Sequence, residues 1–328
     1  MNVRLSEIYQ LARQFSRLSA LLTFILFAIL QFLSIEPAMS LQIVIATTSL
    51  ALGIPHGAID HLISVPKSSK LKFILFILGY VAIALCAGIA ISHWNKIGFQ
   101  CVVLMSALHF GFGDASYSNE YKDAEGLKRN SVTFLVLYAL PAGFLPVVLP
   151  LTDRRAHSAL LRVNPHIANW AGTFSQPLRN ATIGFTIFSL AILFLTRRVQ
   201  LAIDLGILAL LSLVASPLIT FAVYFGCWHA IRHTARLVPK LPRAMSLLES
   251  RSRVAVLMAA ITPGLYAVIG TLVLAGFLLT SGANKQSNGL LWTTLLIVWA
   301  LTVPHMVATS RFDVNSLTTK TYNSSRNS

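Results

Sequence analysis

The sequence predicts an all-α protein, a polytopic bundle of membrane-spanning helices. Of its 328 residues, 55% are hydrophobic and only 11% are charged, against about 25% charged residues in an average soluble domain. The apolar residues also form long runs, and a run of about 20 residues crosses a bilayer as a helix. These observations exclude a soluble globular domain, and the high apolar content excludes a disordered chain.

About ten apolar segments are predicted to be membrane helices, with eight as the lower limit. The seventh and eighth segments are separated at Ser216-Pro217, because a proline interrupts a continuous helix. In chain order the predicted spans are residues 18–35, 41–63, 71–93, 97–113, 131–150, 181–196, 199–214, 216–233, 254–279 and 289–308.

The first span follows Arg4, Arg13 and Arg17 and therefore resembles a signal peptide. Its apolar run reaches about Ile35, which is longer than the roughly 7–15 apolar residues of a signal sequence. We therefore expect a retained first membrane helix.

The basic residues predict the orientation of the helices. With the N-terminus in the cytoplasm, the loops on that side carry 19 Lys and Arg residues and the outer loops carry 6, in agreement with the positive-inside rule. Both termini are then cytoplasmic. We expect a cytoplasmic N-terminus (1–17), a single integral-membrane domain (18–308) and a mobile cytoplasmic tail (309–328).

The net charge of +15 is then mainly an orientation signal. A nucleic-acid-binding surface needs its basic residues on a water-facing groove, whereas here apolar runs separate them. We expect no nucleic-acid partner. The expected surroundings are the lipid bilayer of the cell's inner (plasma) membrane, which the chain crosses several times.

Six of the nine histidines lie inside the predicted spans, where polar side chains are costly and are functional candidates by default. All six fall in the last third of spans that run from outside to inside, so we expect them at one depth. They are His56, His61, His109, His229, His233 and His305. The other three, His93, His157 and His166, lie at an outer helix end or in the long outer loop, and we interpret them as interfacial or solvated.

His229 and His233 are spaced i, i+4, which places both imidazoles on one face of a helix. Such a pair can hold a metal ion, and the equal depth adds His56, His109 and His305 to the candidate ligands. An all-imidazole site suits Fe, Zn, Cu or Ni. His61 points about 140° away from His56 on an ideal helix, so we expect it outside this group unless the helix breaks near Gly57.

Three carboxylates near these histidines, Asp60, Asp114 and Asp313, could accept a hydrogen bond from the free N–H of a ligating imidazole. The alternative is that they are helix-end or interfacial carboxylates. Asp204, in the seventh span, has no partner that the sequence identifies.

Small and aromatic residues cluster beside the histidines. The glycines would allow close approach of helices; they are Gly53, Gly57, Gly111 and Gly113. The aromatic residues could line an apolar substrate pocket or serve in membrane packing and interfacial belts; they are Phe110, Phe112, Tyr224, Phe225, Trp228 and Trp299.

These motifs resemble those of the Brp/Blh family, membrane-bound β-carotene 15,15′-dioxygenases related to bacteriorhodopsin-associated proteins. The matching motifs are GIPHGAIDH (53–61), LHFGFGD (108–114), WHAIRH (228–233) and PHM (304–306). They extend over most of the chain. HGAIDH and WHAIRH together are fairly specific, whereas each alone is weak.

The resemblance implies an Fe(II) enzyme that uses O₂ to cleave the central double bond of β-carotene into two molecules of retinal. It implies that His56, His109, His229 and His233 hold and use the iron, and it leaves the role of His305 open. It also leaves open a different polyene substrate and a retinal-accepting opsin as partner. The loop between the fifth and sixth spans and the C-terminal tail match no family motif.

Two alternatives remain from the residues alone. A histidine-box desaturase or hydroxylase of lipids or carotenoids usually carries HxxxH and HxxHH clusters, whereas this chain has one HxxxH and no HH pair. A metal or haem carrier would place its histidines at more than one depth or along a path. We expect an enzyme.

Overall fold

The computed structural model of the protein describes residues 3–65, 69–248, 252–280 and 290–318. Every regular element within these residues is a helix, which confirms the all-α bundle. The helices are α1 (Val3–Phe32), α2 (Met39–Gly57), α3 (Asp60–Ser64), α4 (Lys70–His93), α5 (Asn95–Ala124), α6 (Val132–Leu151), α7 (Arg154–Val163), α8 (Pro165–Ala168), α9 (Ser175–Leu195), α10 (Val199–Val214), α11 (Pro217–Ala222), α12 (Ala230–Leu237), α13 (Pro242–Leu247), α14 (Arg253–Ile261), α15 (Leu265–Thr280) and α16 (Leu290–Thr318).

Eight helical stretches among the described residues are long and apolar enough to cross a membrane. They match eight of the ten predicted spans, and eight was the lower limit of the prediction. The seventh span corresponds to α10, which has only 16 residues. The eighth corresponds to the helical segment Pro217–Leu237, which begins at the predicted break after Ser216.

Three helices continue well beyond the C-terminal ends of their predicted spans. α5 continues past residue 113 to Ala124, α12 past 233 to Leu237, and α16 past 308 to Thr318. The extensions are helical because their polar side chains pair with one another inside the protein, as described below. Within the predicted tail, residues 309–318 are helical, and residues 319–328 lie outside the described part of the chain.

The segment predicted as a long outer loop is largely helical. It contains α7 and α8, and α9 begins at Ser175 instead of near 181. Asp153 caps α7 by accepting a hydrogen bond from the backbone N–H of Arg155, and Pro165 occupies the first turn of α8, where its missing N–H costs nothing.

Two glycines set the crossing of α5 and α6. A Cβ atom on Gly111 would lie 2.0 Å from the carbonyl oxygen of Ala139, and one on Gly143 would lie 1.8 Å from that of Ala107. Both distances are far below van der Waals contact, so only glycine permits this approach. The crossing positions the histidine-bearing part of α5 against the bundle core.

A π-helical turn, Val223–His229, joins α11 to α12. Such turns occur as single insertions in α-helices and are frequent at functional sites. This one carries Tyr224, Phe225 and Trp228 and ends on His229. It therefore sets the direction in which the WHAIRH motif enters the bundle.

Candidate metal centre

Five of the six predicted intramembrane histidines lie together in the bundle. We call His56, His109, His229, His233 and His305 the histidine cluster. They come from α2, α5, the π-helical turn, α12 and α16, and each is at most 8% exposed. The centroids of neighbouring rings are 5.0–6.4 Å apart.

Local sequence explains how α2 and α16 present their histidines. His56 and His305 each directly follow a proline inside the helix, Pro55 and Pro304, where a proline removes a backbone hydrogen bond and bends the axis. After His56 the helix ends at Gly57, and α3 begins with Asp60. The chain thereby turns, and Asp60 faces His305.

The cluster leaves ring nitrogens without hydrogen-bond partners. They are Nδ1 of His56, Nε2 of His109, Nε2 of His229, both nitrogens of His233 and Nε2 of His305. Buried polar atoms without a partner are uncommon in folded proteins and require an explanation, such as a bound ion. Lone pairs of neutral imidazoles are good ligands for a transition metal. The donor set therefore fits a metal ion.

The rings are near one another but do not form a finished coordination shell. Within the described residues, no group of three or more His, Cys, Asp and Glu side chains has its donor atoms already arranged to hold a metal ion. An ion would have to draw the rings inward. The χ2 torsion of histidine is broad, so such a rotation costs little.

His305 is held by a carboxylate. Its Nδ1 lies 2.9 Å and 3.0 Å from the two oxygens of Asp60, and Asp60 also accepts from the hydroxyl of Tyr80 at 3.3 Å. An imidazole that donates one N–H to a carboxylate offers its other nitrogen to a metal, and this is the usual support of metal-bound histidine. His305 thus resembles a ligand as closely as the four histidines of the family pattern.

Asp313 and Asp114 have different surroundings. Asp313 lies 3.7 Å from Nδ1 of His109, which is too long for a hydrogen bond. Asp114, for which the sequence leaves open an imidazole partner or a helix-end position, has no imidazole partner among the described residues. It accepts from Trp228 and Tyr138 and pairs with Arg232, because the arginine brings a full charge to the same buried position.

The remaining histidines lie outside the cluster. His61 packs its ring edge-on against Phe73, with the centroids 5.9 Å apart. His93, His157 and His166 are exposed, as the sequence predicts.

Two adjoining apolar cavities approach the cluster from one side. The proximal cavity, about 250 Å³, is lined by His56, His305, His61, Phe110 and Phe225, among other residues. The distal cavity, about 150 Å³, continues from it between α2, α15 and α16 and shares Ile54, Thr271 and Val298 with it. Gly53 makes room for the Phe225 ring, which would lie 1.9 Å from a Cβ there.

A third space, which we call the cleft, reaches the cluster between α5 and α16. It has a volume of about 450 Å³ and is lined by His109, Phe112, Met306 and Val314, among others. Three of the predicted pocket aromatics line none of these spaces. Tyr224 and Trp228 are fully buried in the core, and Trp299 packs on Phe99 and Trp292.

A second buried polar group lies beside the cluster. We call Arg232, Arg236 and their carboxylate partners Asp114, Asp204, Glu120 and Asp313 the arginine network. Arg232 lies 3.0 Å from both Asp114 and Asp204. Arg236 lies 2.7 Å from Asp313 and 2.9 Å from Glu120.

The sequence predicts no role for these arginines or for Asp204. The available signal was a charged side chain, Arg232, inside a predicted span; Arg236 follows that span, four residues later. Arg17 gives Asp204 a second cation, at 2.6 Å. The network joins α1, α5, α10, α12 and α16 behind the histidines.

The chain is similar to known proteins over most of its length. The sequence profile of the family described as β-carotene 15,15′-dioxygenase matches residues 47–313, a range that contains the whole histidine cluster. The probable β-carotene 15,15′-dioxygenase Blh of Halobacterium salinarum is 26% identical over 310 residues, which cover 82% of this chain and 83% of that protein.

A β-carotene 15,15′-dioxygenase from the uncultured marine bacterium 66A03 is 26% identical over 270 residues, which cover 78% of this chain and 88% of that protein. No solved structure matches the chain significantly. Because the family profile extends over most of the chain, including all the histidine motifs, the chain belongs to the β-carotene 15,15′-dioxygenase family of membrane enzymes.

Proposed function

We propose that the protein is an iron-dependent dioxygenase that cleaves β-carotene at its central 15,15′ double bond and releases two molecules of retinal. One observation carries this proposal. Five buried imidazoles, each with an unpartnered ring nitrogen, border apolar cavities inside a membrane bundle.

The proposed ligands of Fe(II) are His56, His109, His229 and His233. His305 joins them as a fifth candidate, because Asp60 holds its Nδ1 and leaves Nε2 directed elsewhere. The iron would supply the position at which O₂ is bound and activated. The donor set is neutral, so the positive charge of the ion is retained in the site.

The reaction balances without an external reductant. The carbon–carbon double bond breaks, and each of its two carbons takes one oxygen atom of O₂ and becomes an aldehyde. The four electrons that reduce O₂ come from the two carbons. The reaction therefore needs no substrate besides β-carotene and O₂.

The chain's own residues position the hydrocarbon and exclude water. Phe110 and Phe225 border the cavity next to His56, and the rest of its lining is mostly apolar, as is usual for a site that binds a nonpolar ligand. The cavities lie within the membrane-spanning helices, so a substrate dissolved in the bilayer can reach them without crossing water. Asp60 fixes the orientation of the His305 ring.

The proposed location is the inner (plasma) membrane, where both substrate and product are soluble in lipid. Retinal released there could pass to an opsin in the same membrane.

The test is expression in a bacterial host that makes β-carotene, followed by extraction of the pigments. We expect β-carotene to fall and retinal to appear, in proportion to the iron bound by the purified protein. Retention of β-carotene without retinal, in cells that hold folded and iron-loaded protein, would contradict the proposal. Hydroxylated or desaturated carotenoid would instead identify a histidine-box enzyme, and a haem spectrum a carrier.

A further inference from the structure

The histidine cluster is open on two sides. His56 and His305 border the proximal cavity, whereas His109 borders the cleft. The rings of His109 and His305 are only 5.1 Å apart between their centroids. The two spaces are therefore separated by little more than the cluster itself.

Helix α16 lines the cavities with its residues up to His305 and the cleft with the residues after it. Its residues 294–305 line the distal and proximal cavities, next to residues 39–57 of α2. Its residues 306–317 line the cleft. The cavities and the cleft therefore follow one another along α16, with the cluster at the junction.

The two sides are of similar size. The cavities on one side have volumes of about 250 and 150 Å³, and the cleft has about 450 Å³. At 1.5 Å per residue, α2 extends about 20 Å from His56 back to Ile43, and α16 extends about 18 Å from His305 to Leu317. A symmetric linear molecule whose centre lies at the cluster would find comparable room in both directions.

We propose that the polyene passes across the histidine cluster, with one half in the two cavities and the other half in the cleft. This inference rests on the proposed function and adds to it the means by which the central bond is selected. Both ends of the molecule are accommodated, so the midpoint rests at the proposed metal. Cleavage depends on this alignment, since a displacement of about 1 Å can cost about 100-fold in rate.

The experiment shortens each side in turn by adding a large side chain at an exposed position outside the histidine cluster. Val314→Trp fills the cleft, and Leu272→Trp fills the distal cavity. Both positions are more than half exposed, so the protein can accept tryptophan without disruption of its core. Leu104→Trp is the matched control, because Leu104 is also exposed but lines none of the three spaces.

The purified proteins are assayed with β-carotene and with an apocarotenal that keeps one ring and the central double bond but lacks the other ring. Each single filling variant should lose about 100-fold in kcat/KM for β-carotene and keep its activity on the shortened substrate, whose short end can occupy either side. The double variant should lose both activities. Bound iron should be unchanged in all variants, and Leu104→Trp should resemble the parent protein.

If the Val314→Trp protein lost equal activity on both substrates, the inference would be overturned, and the cleft would be identified as an access path for O₂. Unchanged β-carotene cleavage in that protein would also overturn it, because the second half must then lie elsewhere. A parent protein that binds iron but cleaves neither polyene would instead contradict the proposed function itself.

Discussion

The arginine network and the histidine cluster are both buried polar groups, and both use residues of the segment from Trp228 to Arg236. They differ in how many of their polar atoms have a hydrogen-bond or ion-pair partner. In the network every carboxylate has an arginine partner, and three of them, Asp114, Asp204 and Glu120, also accept from neutral side chains or from a second arginine. In the cluster every imidazole has at least one nitrogen without a partner. Nη2 of Arg232 is the one unpartnered atom of the network among the described residues.

The difference shows that buried polar side chains can serve a membrane protein in two ways, by stabilising its fold or by binding a ligand. Charges that stabilise a fold must be paired, because an isolated buried charge is very costly. Nitrogens that bind a ligand must stay available, and the fold tolerates them because neutral imidazole is cheaper to bury than an ion. The network therefore pairs its charges around α12, whereas the cluster keeps available the ring nitrogens that the proposed iron would use.

The largest expected effect is the loss of a cluster histidine. His229→Ala should abolish retinal formation and lower the iron content of the purified protein, because it removes a donor that no neighbour replaces. Metal analysis and pigment extraction measure the two effects. His166→Ala, on the exposed outer segment, is the control and should change neither. Equal effects of the two substitutions would break the distinction between the cluster and the other histidines.

Loss of a network arginine should act on folding. Arg232→Met leaves Asp114 buried without its cation, and removal of one partner from a buried pair typically costs about 3–5 kcal/mol. We expect a lower yield and a lower thermal transition in detergent, with normal iron content in the fraction that folds. Arg155→Met is the control, because Arg155 pairs with Asp153 at the surface, where a pair contributes about 1 kcal/mol or less.

A folded and stable Arg232→Met protein that contains no iron would contradict this division, because the arginine would then act on the cluster and not on the fold.

Asp60 lies outside both groups but links them in kind, since it is a buried carboxylate whose partner is a cluster histidine instead of an arginine. Asp60→Asn should weaken iron binding by about 10–100-fold, the usual effect of altering a residue that orients a metal ligand. Resistance of bound iron to a chelator measures this directly. Tyr80→Phe removes only the hydroxyl that donates to Asp60 and should have a smaller effect. Unchanged iron retention in Asp60→Asn would exclude His305 from the ligand set.

Composition alone was sufficient to predict the fold class, and the positions of the apolar runs were sufficient to predict where the membrane helices lie. The reason is that a bilayer demands helices, because each backbone polar group must be satisfied within its own segment. The apolar runs did not predict where a helix ends when polar residues continue it. The extension of α16 to Thr318 depends on Asp313 reaching Arg236, a contact between residues far apart in the sequence.

The grouping of five histidines agrees with their equal predicted depth. His61 also lies outside the group, but not because of the ideal-helix angle: α2 ends at Gly57, and the His61 ring packs on Phe73 instead. Which carboxylate serves which partner could not be predicted. Asp60 and Asp114 each lie near a histidine in the sequence, but only the packing of α3 against α16 gives Asp60 its imidazole, and only the entry of Arg232 removes Asp114 from that role. The sizes of the cavities likewise depend on how α2, α15 and α16 meet.

The smallest expected effect tests the edge of the cluster. His61 shares the HGAIDH motif with His56 and borders the proximal cavity, but the chain turns after Gly57 and its ring packs on Phe73. His61→Ala should therefore leave the iron content unchanged and alter kcat/KM by about twofold at most, as expected for a partly exposed side chain outside any buried network. His305→Ala is the informative comparison, because His305 lies in a less specific motif yet contacts the other rings. If the His61 variant lost its iron and the His305 variant kept it, membership in the HGAIDH motif, and not contact with the other rings, would identify the ligands.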